Sequence, residues 1–227
     1  MLQMNLQLFG GRGGGSGSGG GGGGAQIIND EMTLANSGYE SYDTAYSADQ
    51  ALQKSTNDWE QGLTTEQEDA IRYYTGTYGY DDINDYLRGK TDSPSQKDID
   101  AAAEIESAIN NYELTDPMVF HRGGNAKLLN GADNVQDIQK MVGSVVVDRG
   151  FTSTSSNKSD ILGGDITYHI ATPAGKGSGA YIKNLSQFKG ESEFLFNSGS
   201  AFKIIGAYDD YGRVNVNLQY IGRTSQK

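Results

Sequence analysis

Phe188-Lys189-Gly190-Glu191-Ser192-Glu193-Phe194-Leu195-Phe196 combines a glycine turn, a Glu-Ser-Glu triplet and an apolar run. Side chains alternate faces along a strand, so carboxylates at i and i+2 point the same way. Glu191 and Glu193 are therefore expected on one face of a strand entered through Gly190, with the Phe188 ring beside the turn, where it could touch a substrate. Two carboxylates sharing a face repel each other, which makes stability alone a poor reason for the arrangement. Stabilisation of positive charge or proton transfer is a better one, although many solvated strand faces also carry Glu-x-Glu.

Outward from this stretch the chain divides into two kinds of segment. After Pro117, short apolar runs separated by Gly and Asn predict strands at 118–121, 144–147, 151–154, 166–171, 180–182, 193–196, 201–207 and 214–221. Val214, Val216, Leu218 and Tyr220 alternate with polar residues, the pattern of a half-buried strand. A helix over 135–142 interrupts the series. Residues 40–115 carry helical periodicity instead. The stretch 42–63 is amphipathic, with Trp59 on its buried side. Thr65-Glu66-Gln67-Glu68 reads as a capping box opening a second helix that runs through Tyr74 and stops at Gly76. A short helix over 81–87 closes at Gly89, and 95–111 places Ile99, Ala102, Ile105 and Ile109 on one stripe. Asp81, Asp82 and Asp85 lack the Gly and Glu of a calcium loop and suit a helix N-terminus. Helices first and strands later predict an α+β domain, its helices packed on an antiparallel core over 117–222.

Two further segments bear on chemistry. Val119-Phe120-His121-Arg122-Gly123-Gly124 ends an apolar run with a basic residue and a Gly pair, and Gly150-Phe151-Thr152-Ser153-Thr154-Ser155 is a strand-like hydroxyl cluster. Arg, Ser-Thr-Ser and Glu-x-Glu in this order resemble the Arg-Ser-Glu class of mono-ADP-ribosyltransferases, the group of the binary actin-modifying toxins. Tyr73-Tyr74-Thr75-Gly76, Asn84-Asp85-Tyr86-Leu87-Arg88 and Gly199-Ser200-Ala201-Phe202-Lys203-Ile204 fit the same pattern, so the likeness covers about residues 40–222.

The resemblance implies two small, mostly antiparallel sheets packed roughly at right angles, with NAD in the cleft between them. It implies transfer of ADP-ribose from NAD to a protein side chain through a ribosyl oxocarbenium ion, with no metal. Glu193 takes the place of the residue that holds the ribose 2′-hydroxyl and stabilises the cation. Ser153 orients Glu193, Arg122 lies beneath the phosphates, Gly123 leaves room for the nicotinamide amide, and Tyr74 lines the cleft. Glu191 faces the acceptor, and Glu rather than Gln there accompanies modification of arginine. A carboxylate grips a guanidinium through two parallel hydrogen bonds and can draw off a proton, which an amide cannot. Phe188 presses on the target protein. Each residue also has a structural reading: Arg122 as the partner of Asp148, Ser153 as a strand-edge hydroxyl, and His121 as a residue facing away from Arg122. The loop after Ser155 offers Lys158 where toxins carry Arg, and Gly150 stands where some carry Asn. An NAD glycohydrolase with the same site, a non-catalytic phage structural protein keeping the fold, and a secreted toxin subunit are the alternatives.

Composition narrows the partners. A net charge of -11 over 227 residues disfavours a nucleic-acid backbone, and the absence of cysteine excludes disulfides and thiolate metal sites. No apolar run reaches the roughly 18–20 residues that span a bilayer. Residues 10–24 are Gly and Ser broken only by Arg12, the composition of a flexible tether. Residues 1–25 are thus expected as a tail and 26–227 as the domain. The tethered Leu6-Gln7-Leu8-Phe9 resembles the starts of phage structural proteins, which suggests a docking peptide for a phage particle. Residues 1–9 lack the pattern of a secretory signal, so host cytoplasm or virion is the expected location.

Overall fold

The computed structural model describes residue 34, residues 37–188 and residues 190–224. The glycine tract, the nonapeptide and the expected domain start at residue 26 lie outside these. Among the described residues, the helices with both ends described come first: α1 (Ala45–Glu60), α2 (Thr65–Tyr74), α3 (Gly79–Leu87) and α4 (Gln96–Asn110). Each begins where sequence supplies an acceptor for orphan N–H groups, α3 excepted. Thr44 and Ser95 cap α1 and α4. The capping box of α2 is Thr64 with Gln67, one residue earlier than the sequence pattern suggests, because Thr65 already has helical geometry. Ala48, Leu52, Thr56 and Trp59 form the buried stripe of α1, and the Trp59 Nε1 donates to the Ala108 carbonyl at 2.8 Å. This ties α1 to α4.

Ten strands follow, in the order β1 (Glu113–Leu114), β2 (Met118–Gly124), β3 (Val145–Asp148), β4 (Thr152–Ser155), β5 (Ile166–Thr172), β6 (Gly175–Lys176), β7 (Gly179–Tyr181), β8 (Glu193–Phe196), β9 (Ser200–Asp210) and β10 (Arg213–Arg223). A 3₁₀ turn (Ala126–Leu129) and a short helix, α5 (Val135–Lys140), separate β2 from β3. β1 and β6 form a two-stranded ribbon. The other strands lie in the order β3-β9-β10-β5-β2-β4-β8-β7, antiparallel except for the parallel pair β5/β10. The two expected sheets are thus joined into one hydrogen-bonded series, and the join is narrow: β2 meets β4 at the single pair His121–Ser155.

Behind the join lies an aromatic core. Phe120 of β2 stacks on Phe194 of β8 with centroids 3.8 Å apart, and Phe196 meets both edge-on. β10 departs from the half-buried expectation, since Asn215 and Asn217 are as buried as Val216 and Leu218. On that second face Asn215 meets His169 of β5 at 3.0 Å, and on the neighbouring strands Leu34 packs against Val119 of β2 and Ala171 of β5. Among the described residues no helix is long and apolar enough to cross a membrane.

Candidate active site

Past the His121–Ser155 pair the strands part. β2 runs on to Gly124 bonded to β5, while β4 stays with β8, and a cleft of about 240 Å³ opens between them. Arg122, Gly123, Ser153, Glu191 and Glu193 all line it, so β2, β4, β8 and the turn before β8 bring these distant residues together.

Arg122 bridges the divide, its Nη1 donating to the Ser153 carbonyl at 2.8 Å. The structural alternative for this arginine is not realised. Asp148 is instead held by Arg88, whose Nε and Nη2 each lie 2.9 Å from a carboxylate oxygen. Burial opposes the Arg88 charge, and the bonds to Asp148 outweigh it. Gly150 packs against this pair: a Cβ there would lie 2.4 Å from Asn84 Oδ1 and 2.9 Å from Arg88 Cζ, so no longer side chain fits. Asn84 Oδ1 accepts from the Phe151 N–H at 2.7 Å, which fixes the approach to Ser153.

Glu193 opens β8, an interior strand between β4 and β7, and is only 7 % exposed. Burial pushes its carboxyl up to about 7; the Ser153 hydroxyl pulls it back, neighbouring Glu191 raises it, and Arg122 lowers it. A carboxyl poised near neutrality, beside a hydroxyl and facing a cleft, is the kind of group that active sites perturb. Glu191 departs from the expected strand geometry, for β8 begins only at Glu193. It sits in the preceding turn, its N–H donating to the Phe188 carbonyl at 2.9 Å. Both carboxylates still line the cleft. The Phe188 ring stands out from the same turn, 54 % exposed.

One expectation needs correction. Tyr74 is 1 % exposed and does not line the cleft; its hydroxyl accepts from Asn84 Nδ2 at 3.0 Å and its ring packs edge-on against Phe151. Tyr80, edge-on against Tyr74, lines the cleft in its place. Gly123 lines the cleft as expected, and a Cβ there would lie 1.6 Å from the Leu162 carbonyl oxygen. Gly123 thus lets the loop after β4 cross β2 closely. Lys158, which stands where toxins carry Arg, forms an ion pair with Asp43 at 2.9 Å.

His121 is fully buried, as its structural reading required, although it borders the cleft. Its Nδ1 lies 2.8 Å from His169 Nδ1, and His169 Nε2 lies 3.0 Å from Asn215 Oδ1. With Asn215 Oδ1 as acceptor, His169 donates from Nε2; a neutral His169 then accepts at Nδ1 from His121, leaving His121 Nε2 to accept from Ser41 Oγ at 3.3 Å. Burial, then His169 and Lys158, hold the His121 pKa well below its ordinary value. Sequence reasoning also missed Asp160, Leu162 and Ser192 on the cleft wall. Tyr80 lies between the quoted Tyr73–Gly76 segment and the expected helix over 81–87, and nothing in the spacing ranks it above Tyr74.

Residues 50–222 match the family model described as ADP-ribosyltransferase exoenzyme. The chain belongs to this family. A mono(ADP-ribosyl)transferase of Salmonella typhimurium is 30% identical over 166 residues, covering 62% of this chain and 27% of that protein. An NAD(+)–arginine ADP-ribosyltransferase of Enterococcus faecalis is 28% identical over 159 residues, covering 67% of this chain and 31% of that protein. The chain thus spans about a third or less of these relatives. An ADP-ribosyltransferase toxin of Paenibacillus larvae has the same fold, with a TM-score of 0.73 at 20% identity over 81% of this chain and 100% of that one.

Proposed function

We propose that the protein is an NAD-dependent mono-ADP-ribosyltransferase that modifies an arginine side chain of a target protein and releases nicotinamide. The observation that carries this is the buried Glu193 carboxyl, held beside Ser153 and Arg122 in the cleft that Glu191 also lines. The bond from ribose C1′ to the nicotinamide nitrogen breaks, and positive charge develops on the ribosyl ring. Ionised Glu193 stabilises that charge, and its worth is high because the carboxylate is largely buried and already in place. Ser153 orients Glu193, and Arg122 supplies a permanently charged planar fork for phosphate oxygens. A guanidino nitrogen then bonds to C1′, and its proton passes to Glu191. The arginine specificity of the Enterococcus relative supports this reading of Glu191. Incubation with NAD labelled in the adenylate half, with agmatine or a lysate as acceptor, tests it: label on guanidino groups is expected, and label on other side chains, or none, refutes it.

The apolar peptide at residues 6–9 supports a second, finer proposal, that it docks the enzyme on a phage particle delivered to a host cytoplasm. Deleting residues 1–24 is expected to remove the protein from such particles while NAD turnover stays within twofold. Retention on the particle refutes the docking role.

A further inference from the structure

Asp160 lies in the loop after β4 and lines the same cleft as Glu191 and Glu193. Its loop is firmly built. Asn157, fully buried, donates from Nδ2 to an Asp160 carboxylate oxygen at 2.9 Å, and its Oδ1 accepts from Ser159 Oγ at 2.6 Å and from the Asp160 N–H at 3.2 Å. The same Asp160 oxygen reaches the turn before β8, where it also accepts from the Ser192 N–H at 3.4 Å. Ser192 is held from its other end too, because its carbonyl accepts from the Ser156 N–H at 2.9 Å. The Ser192 hydroxyl is buried without a hydrogen bond of good geometry, with the Asp160 carboxylate and the Tyr181 hydroxyl both within reach.

Ser192 is the residue between the two carboxylates. Glu193 needs no such help, because β8 is bonded to a strand on each side. Glu191 stands outside the strand, and its place depends on what holds the turn. We propose that Asp160 is a positioning residue for the acceptor step: through Ser192 it holds Glu191 toward the incoming guanidinium, and so favours transfer to arginine over transfer to water. This rests on the function proposed above. Burial raises the Asp160 pKa, but hydrogen bonds from Asn157, Ser192 and Ser159 outweigh it and keep the group ionised at neutral pH. Its charge therefore also favours a cationic acceptor over a neutral water.

The test is the ratio of ADP-ribosyl-agmatine to free ADP-ribose formed by the full chain. This ratio does not depend on the fraction of a variant that folds. Asp160→Ala is expected to lower it about tenfold, the size of one hydrogen bond to a charged group. Asp160→Asn keeps one oxygen for the Ser192 N–H and is expected to lose less. An unchanged ratio in Asp160→Ala, including one in which both products fall together, overturns the positioning role while leaving the function intact. A parent protein that forms neither product refutes the function, and this role with it.

Discussion

His169, His121, Ser155 and Glu193 occupy one register row across β5, β2, β4 and β8, and the two ends of this row are built on opposite terms. At the histidine end the buried polar groups meet one another in a chain of hydrogen-bonding contacts, from Ser41 through both imidazoles to Asn215. At the glutamate end a carboxyl is buried beside a second carboxylate and faces a cleft. Buried polar groups stabilise a fold when they complete one another and cost stability when they do not. The row therefore passes, within three strand spacings, from groups that complete one another to a carboxyl that the proposed function puts to use.

Substitutions at the two ends should separate these roles. The largest effect is expected for Glu193→Gln, which keeps shape and loses charge: NAD cleavage should fall about 100- to 1000-fold in a folded protein. Activity within a few-fold of the parent would break the comparison at its glutamate end. His169→Leu strands the His121 donor and the Asn215 oxygen, so chemical denaturation should show a loss of about 1–3 kcal/mol, with NAD cleavage per folded molecule changed little. A stable His169→Leu protein lacking activity would assign the histidine row to catalysis. Glu191→Gln sharpens the contrast within the cleft, since agmatine modification should fall about tenfold more than NAD hydrolysis, the loss of one charge-assisted contact. Equal losses would place Glu191 on the cofactor.

Much of the architecture is legible locally. The capping pattern at Thr65–Glu68 announces α2 one residue late, and the apolar run in 193–196 marks β8 with the ends that the structure shows. The two-residue ribbon β1/β6 is not legible, for strands that short carry no periodicity and exist only through their pairing. Within the site, Arg122, Ser153 and the Glu pair stand in quoted segments whose order carries the family pattern. Tyr80 against Tyr74 could not be decided, because the choice depends on how α2 and α3 pack against Phe151. Asp160 and the histidine row were hidden for the same reason. Their partners are Ser192, His169 and Asn215, which lie 32 to 48 residues away in sequence, and no local pattern links them.

The account turns on the Glu193 carboxyl, so its titration in the folded protein is the most direct test. Carboxyl carbon shifts of ¹³C-labelled glutamate, assigned by comparison with Glu193→Gln, are expected to show one group titrating near 7 where an ordinary glutamate titrates at 4.5. Between those values the folded protein holds a proton that the unfolded chain releases, so the parent should lose stability relative to Glu193→Gln as pH rises from 4.5 to 7. NAD cleavage, which needs the ionised form, should rise over the upper part of the same range. A Glu193 that titrates near 4.5, with parallel stability profiles for parent and variant, would contradict the claim that burial has set this carboxyl apart.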